Sequence, residues 1–429
     1  MFFIYRCLTF ILTPFFILLI YCRLIIKKED SLRFKEKIYP SCFNSDRDNE
    51  KKLIWFHAAS IGEVLSVLPI IEEMNNINKD VEFLITTVTL SAANLLKKKL
   101  TKYSNTRHRF FPLDTKNLSR KFLDKWKPDL TCFVDSEIWP NFLFEIKVKN
   151  IPLVLINARI TKKTFKKWNF FPNFAKKVFN NFDLCLPCSE ESKNNLKALQ
   201  VKKLSYIGNL KFTIKINKEE LHESEIKILN NFKVWCAASI HEEEEIIAIK
   251  THLEIKKKYK NTLTIIIPRY INRTLNIKKL ATKYKLNCQI LNDGDLVNLD
   301  KEILIINSFG ALYKYYNYCK NVFVGKSLIK KLKKDGGQNP IEAAKFGCKV
   351  YSGPYVYNFQ EVYEFLKVNN MSEQVNDEYD LSKKIIEDFK KPKSINEQSI
   401  NLLNSYGEQI LKQTITELNK LVIIKNENA

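Results

Sequence analysis

The feature that narrows the fold most is an alternation that runs through the chain twice. Short apolar stretches of strand length are followed by stretches with helical periodicity: Leu53–Phe56 then Val64–Met74, Phe83–Thr87 then Ser91–Leu100, Leu130–Val134 then Phe142–Val148. Apolar runs of this length suit strands buried on both faces, and strand–helix–strand repetition suits parallel pairing. After a polar stretch near Lys215–Glu225 the pattern restarts with Val234–Ala238, an acidic helical stretch, Leu263–Ile267, Ile303–Ile306, Asn321–Val324 and Lys349–Tyr351. The chain therefore reads as α/β with two Rossmann-like halves, each presenting ligands at the carboxyl edge of its sheet. Its 429 residues exceed what a single hydrophobic core usually serves, which agrees. The expected divisions are residues 27–215, residues 216–394, and an amphipathic helical segment, 395–429, that packs back across both halves.

Ahead of the first half, Cys7–Cys22 is almost wholly apolar and is bracketed by Arg6 on one side and Arg23, Lys27 and Lys28 on the other. The run falls short of the roughly 20 residues that span a bilayer, although Met1–Ile26 would reach if the arginines snorkel. No small-residue cleavage site follows, so the segment is expected to remain attached, as a membrane-anchor helix over residues 1–26. The basic residues on its exit side leave the domains that follow on the cytoplasmic face. Pro14 is compatible with a bent helix lying in the interface as well as with a spanning one.

Lys and Arg number 70 against 47 Asp and Glu, a formal charge of +23. That excess suits a polyanionic partner, whether an anionic membrane surface, a phosphorylated substrate or nucleic acid. A general richness in Lys, Asn and Ile produces the same charge with no partner at all. Nucleic acid is not expected, because no recognised binding module or aromatic-interleaved basic stripe is present. The ten cysteines are mostly scattered singly, which suits a reducing compartment. Cys185 and Cys188 form the one close pair, and they read as buried strand-end thiols; no second pair stands at zinc spacing, and no metal site is expected.

Only 10 glycines occur, so they should stand mainly where backbone geometry or close ligand approach demands it, with a few serving as ordinary turns. Gly62, Gly208, Gly310, Gly325, Gly336, Gly337 and Gly353 all fall in expected strand-end loops, and these loops become the candidate site. In the first half, Trp55-Phe56-His57-Ala58-Ala59-Ser60-Ile61-Gly62-Glu63 places Glu63 in the first turn of a helix, where a carboxylate serves either as a general base or as an N-terminal cap. Val134-Asp135-Ser136-Glu137-Ile138-Trp139-Pro140-Asn141 gathers two carboxylates and an indole at a strand end, with Glu137 the stronger functional candidate and Asp135 open to a capping role. Gly208-Asn209-Leu210-Lys211-Phe212 offers Lys211 to a phosphate or a developing anion.

In the second half, Pro268 and Arg269 end a strand with a guanidinium suited to a phosphate or carboxylate. Ser308-Phe309-Gly310-Ala311 precedes a helix. Gly336-Gly337-Gln338-Asn339-Pro340-Ile341-Glu342 reads as a glycine-rich loop with Asn339 as N-cap, Pro340 at the first helical position and Glu342 in the first turn, an anion site with a carboxylate placed for ribose hydroxyls.

Taken in this order, these motifs resemble the 3-deoxy-D-manno-octulosonic acid (Kdo) transferases of Gram-negative lipopolysaccharide synthesis. The resemblance covers nearly the whole chain, and adds Thr86-Thr87-Val88-Thr89, Asn157-Ala158-Arg159 and the stretch from Gly353-Pro354 to Asn358-Phe359. It implies a GT-B fold of two Rossmann-like domains facing a cleft, CMP-Kdo as donor, no cofactor or metal, and a phosphorylated lipid A precursor as acceptor at the inner face of the inner membrane. It further implies that Glu63 is the base and that transfer inverts the anomeric centre. Glu137, Asp135 and Lys211 would steady the transition state. Pro268, Arg269, Phe309, Gly310, Ala311, Asn339, Pro340, Ile341 and Glu342 would hold the CMP moiety. The chain departs from the family pattern at Gln338 (usually histidine), at Asp135 (commonly glutamate), at Lys326 (commonly glycine) and in a short insertion at Lys330–Asp335.

Overall fold

The strands form where buried aliphatic and aromatic residues run together. In the computed structural model, which describes residues 1–44, 47–48, 50–216, 221–298, 300–308, 310, 312–332, 336–391 and 397–427, they make two sheets. The first comprises β1 (Lys52–His57), β2 (Val81–Thr87), β3 (Thr106–Phe110), β4 (Leu130–Val134), β5 (Leu153–Ala158) and β6 (Leu184–Pro187). Its order is β3-β2-β1-β4-β5-β6, with parallel pairing throughout, Trp55 standing opposite both Leu84 and Thr131. The second comprises β7 (Lys233–Ile240), β8 (Thr262–Pro268), β9 (Cys288–Leu291), β10 (Ile303–Ile306), β11 (Asn321–Val324), β12 (Lys349–Ser352) and β13 (Ser372–Gln374), in the parallel order β13-β12-β11-β7-β8-β10-β9.

Helices on both faces explain why the central strands are continuous apolar runs. Trp55, Phe122, Phe133, Phe142, Leu153 and Leu155 belong to the core of the first sheet, and Trp235, Ile249, Ile266, Ile305, Phe323 and Ile385 to that of the second. Each sheet reverses direction beside its first strand, between β1 and β4 in one and between β7 and β11 in the other, and the crevice outside such a reversal is where ligands bind in open parallel sheets. The chain divides into two compact units, residues Met1–Ile214 with Tyr406–Ala429, and Lys215–Ser405. The C-terminal helix Glu397–Glu427 thus contributes its later residues to the first unit, where Tyr406 packs edge-on to Phe212 at 5.1 Å.

The N-terminal segment is two helices, α1 (Phe2–Ile11) and α2 (Thr13–Ile25), bent by 50° and with Pro14 in the first turn of the second. Among the described residues no single helix is long and apolar enough to cross a membrane, and only this pair together meets that test by length and composition. Its polar side chains turn toward the first unit. Arg6 pairs with Glu145 at 2.6 Å, Arg23 and the buried Lys37 both pair with Glu29 at 2.6 Å, and Asn141 donates to Thr9 Oγ1 at 3.2 Å. Phe3, Phe10, Ile11, Phe15, Leu18 and Ile25 are exposed.

Candidate active site

Glu63 owes its position to the turn that leaves β1. Ala58–Ser60 are small enough to bend sharply, Ser60 takes an extended conformation at the N-cap, and α3 (Ile61–Ile77) starts with Glu63 in its first turn. Its carboxylate accepts from the Ala59 amide at 2.8 Å and from Ser60 Oγ at 2.7 Å, so it caps the helix while standing at the sheet reversal. Burial lifts its affinity for a proton, the negative charges of Asp135 and Glu137 add to this, and the Ser60 and Ala59 donors oppose it; the carboxyl is pushed up to about 8.

Across the reversal, the turn after β4 supplies the other two carboxylates. Asp135 sits at φ 54°, a left-handed conformation uncommon outside glycine and asparagine. Its Oδ1 accepts from the Asn157 side-chain amide, and its Oδ2 stands 3.9 Å from Lys211 Nζ. Asn157, itself at φ 52° in the irregular end of β5, also accepts the Leu210 amide at 2.9 Å and so fixes the 3-10 turn Leu210–Thr213 that carries Lys211. Asp135 does not cap the following helix, Pro140–Val148; Asp114 does, accepting the Asn141 and Phe142 amides at 3.2 and 2.9 Å. Glu137 accepts from the Trp139 indole at 2.8 Å and lies 3.3 Å from His57 Nε2. Burial works against its charge, but the hydrogen bonds from His57 and Trp139 hold it below the usual carboxylate range. Glu63, Asp135, Glu137 and Lys211 are thereby brought together, three acids of which Glu63 and Glu137 are shifted in opposite directions, with a cation beside Asp135.

In the second unit the loops converge on the reversal between β7 and β11. Glu244, fully buried, accepts the amides of His241, Lys326, Ser327 and Leu328 through its two oxygens, at 2.6 to 3.1 Å, and so holds the loop after β11. His241 lies 3.3 Å from the Gln338 side chain and is pushed down to about 4 by burial and by the charges of Lys326 and Arg269. Arg269 is exposed after β8, with its amide bonded to the Ile240 carbonyl at 2.9 Å. Gly310 adopts φ 82° in the loop after β10; its neighbours Phe309 and Ala311 lie outside the described residues.

Two expectations about the glycine-rich loop need correction. The helix that follows it is a single short turn, Ile341–Lys345, capped at Pro340 and not at Asn339, although Asn339 Oδ1 still accepts the Ile341 amide at 3.2 Å. Glu342 remains in its first turn. Of the paired glycines, Gly336 answers to packing, since a Cβ there would lie 2.0 Å from the Tyr355 carbonyl oxygen, and Gly337 to backbone geometry, at φ 96°. His57 and Glu244 carry contacts that sequence reasoning did not single out; His57 sat inside a recognised motif, whereas Glu244 is one of four successive glutamates and nothing in the run distinguishes it. Cys185 and Cys188 are buried thiols, both raised by burial, and among the described residues no group of three or more His, Cys, Asp or Glu is placed to hold a metal ion.

Two parallel Rossmann-type sheets, each with its strand order reversing beside its first strand, are the architecture of the GT-B fold. A crystal structure of a glycosyltransferase from Rickettsia africae superposes with a TM-score of 0.56 at 12% identity, covering 87% of this chain and 99% of that one, which bears on the fold alone. Residues 32–214 match the family model described as 3-deoxy-D-manno-octulosonic-acid transferase (kdotransferase). The chain is 32% identical over 357 residues to the 3-deoxy-D-manno-octulosonic acid transferase of Rickettsia bellii, covering 82% of each, and 26% identical over 374 residues to that of Haemophilus influenzae, covering 86% and 85%. The chain belongs to the Kdo transferase family, glycosyltransferases of lipopolysaccharide biosynthesis.

Proposed function

We propose that this enzyme takes Kdo from CMP-Kdo and transfers it, with inversion, to a sugar hydroxyl of the phosphorylated lipid A precursor. The observation that carries the reading is Glu63: a carboxyl held near 8 in the first turn of α3, facing two further acids, suits a general base that must accept a hydroxyl proton near neutral pH. Glu63 removes the proton as the acceptor oxygen bonds to the anomeric carbon, and the bond from that carbon to the CMP phosphate oxygen breaks, its electron pair leaving with CMP. Lys211 and the Asp135–Glu137 pair shape the field around the charge that develops. Pro268, Arg269, Gly310, Asn339, Pro340, Ile341 and Glu342, with Phe309 and Ala311, would form the CMP pocket. The exposed Arg269 suits its phosphate and Glu342 a ribose hydroxyl.

The reading extends to location. The ion pairs Arg6–Glu145 and Arg23–Glu29 bind α1 and α2 to the first unit, and the exposed residues Phe3, Phe10, Phe15 and Leu18 give the pair an apolar outer surface. That arrangement supports helices lying in the plane of the cytoplasmic face of the inner membrane, where a lipid acceptor would be found.

Incubation of the detergent-solubilised enzyme with CMP-Kdo generated in situ and lipid A precursor, followed by mass spectrometry of the lipid, tests the reaction. A mass gain of one or more Kdo units that disappears in Glu63→Gln is expected. No gain from a folded protein that CMP protects against unfolding would transfer the proposal to a different acceptor, and retention of turnover by Glu63→Gln would remove the base assignment.

A further inference from the structure

We propose that His57 is a positioning residue for the transfer: held from behind by Thr86 and Trp55, it presents its Nε2 proton to Glu137 and so fixes the orientation and charge of the carboxylate that faces Glu63. This rests on the reading of Glu63 as the base.

His57 is the last residue of β1, fully buried at the reversal of the first sheet. The Trp55 indole can only donate, and it donates to Thr86 Oγ1 at 2.9 Å. The hydroxyl proton of Thr86 is then available to His57 Nδ1, 3.0 Å away, which leaves Nε2 as the protonated nitrogen opposite Glu137 Oε2 at 3.3 Å. A carboxylate only accepts, so the donors run in one direction from Trp55 to Glu137. The ring cannot turn to break this sequence. It is stacked on Phe111 at 3.8 Å with an interplanar angle of 24°, and Phe133 meets it edge-on at 5.1 Å. The Trp139 indole converges on the same oxygen, Oε2, at 2.8 Å. Two donors on one oxygen keep Glu137 in place and in its charged form.

The charged groups around Glu63 are the carboxylates of Asp135 and Glu137, with Lys211 standing against Asp135 and Arg159 following β5, its amide bonded to the Asp135 carbonyl at 3.0 Å. The Asp135 charge is balanced in part by Lys211, so the charge of Glu137 is a controllable share of the field at Glu63. Removing the His57 donor lets Glu137 take up a proton more readily, the negative field at Glu63 weakens, and Glu63 releases its own proton at lower pH. The base then becomes available earlier but is weaker.

Turnover of full-length, detergent-solubilised enzyme is measured against pH for the wild type, His57→Phe, His57→Gln and Trp139→Phe. His57→Phe is expected to lose on the order of tenfold or more in kcat. The rising limb of its profile should move toward lower pH by on the order of one unit. His57→Gln, which restores an N–H near Nε2, should return the limb toward the wild-type position. Trp139→Phe, at a partly exposed site, should shift it in the same direction as His57→Phe and carries the test should that variant fail to fold. A rate loss with an unmoved limb in His57→Phe and Trp139→Phe, or a limb that Gln fails to restore, overturns the role of His57 while leaving Glu63 as base. Turnover by Glu63→Gln would instead overturn the base reading and this proposal with it.

Discussion

Tyr5 and Asp114, 109 residues apart, share a hydrogen bond of 2.7 Å from the phenol to Oδ2. Asp114 also caps the helix Pro140–Val148, so a single carboxylate ties α1 to the element that follows the Asp135–Glu137 turn. Burial pushes Asp114 up to about 6 despite the Tyr5, Phe142 and Asn141 donors, which makes each donor valuable to the charged form. Tyr5→Phe deletes the one donor that comes from α1. It should weaken docking of that helix by about 1.5–3 kcal/mol, the range for a hydrogen bond to a charged group. Hydrogen exchange should show residues 2–11 losing protection while Asn141 and Phe142 keep theirs.

Glu63 carries a stability cost that follows from its chemistry. Its folded-state affinity for a proton lies near 8 against an ordinary value of 4.5, so the unfolded chain gives up this proton first. The sign follows by linkage: below about 4.5 the group is neutral in both states and costs nothing, and stability falls as pH rises from about 4.5 to about 8. Glu63→Gln removes that slope. The variant should unfold at a higher temperature than the wild type at pH 8–9, with the gain shrinking toward pH 5, even as turnover is lost. Thermal unfolding at these pH values checks it, and equal midpoints throughout would mean that Glu63 is ionised like a surface carboxylate.

How much of this was legible in the sequence depends on where each element sits. The interior strands β1, β2, β4, β7, β8, β10 and β11 announce themselves as apolar runs because helices cover both their faces. The edge strands β3, β9 and β13 do not. β3 reads Thr-Arg-His-Arg-Phe, with Arg107 paired to Glu82 at 2.9 Å, and an alternation of charge of that kind is invisible to a search for apolar runs. β9 and β13 are short and half exposed, whereas β6, though at an edge, is fully buried and shows as the apolar run around Cys185. β5 is fully buried and is not among the strand-like stretches named from the sequence, although its side chains are apolar up to Asn157. At the site, the turn residues Glu63, Asp135, Glu137 and Lys211 could be picked out as polar residues at strand ends. The capping role that the sequence left open for Asp135 falls to Asp114 instead, because the choice between two acids is made by tertiary distance. His57 shows the same limit: its function depends on Thr86 and Glu137, which only the parallel register brings to it.

The scarcity of glycine pointed at strand-end loops, and the structure separates two causes. A Cβ on Gly325 would lie 2.5 Å from Ile240 Cα and 2.8 Å from a Glu244 oxygen, so Gly325→Ala must push β7 away from β11 at the point Glu244 holds. Its cost should be about 2–4 kcal/mol, in the range of overpacking combined with disruption of a buried hydrogen-bond network. A Cβ on Gly62 would meet nothing within 4 Å, and Gly62 lies in the first turn of α3. Gly62→Ala should therefore be neutral or stabilise by up to about 1 kcal/mol. If Gly62 serves ligand approach beside Glu63, turnover falls in the Ala variant with stability intact. Unfolding and activity measured on both variants distinguish the packing glycine from the ligand glycine.

The N-terminal helices separate their contacts by face, and this makes their function divisible by mutation. Phe3 and Phe10 are each 77% exposed and Ile25 80%, whereas Arg6 and Tyr5 on the same stretch are committed to Glu145 and Asp114. A large side chain moved from water into an apolar medium gains about 1.5–3 kcal/mol, so each outward Phe→Ser should reduce partition onto vesicles about tenfold or more. The protein's charge of +23 will attract anionic vesicles by itself, so the measurement belongs on neutral phosphatidylcholine or at high salt, where that attraction is screened. Phe3→Ser with Phe10→Ser should lose vesicle binding while folding and turnover on a detergent-dispersed acceptor persist. Arg6→Ala should do the reverse, keeping the apolar face while loosening α1 from Glu145. Loss of turnover in detergent from the outward pair would mean that these phenylalanines touch the acceptor itself, since no bilayer is present there to be missed.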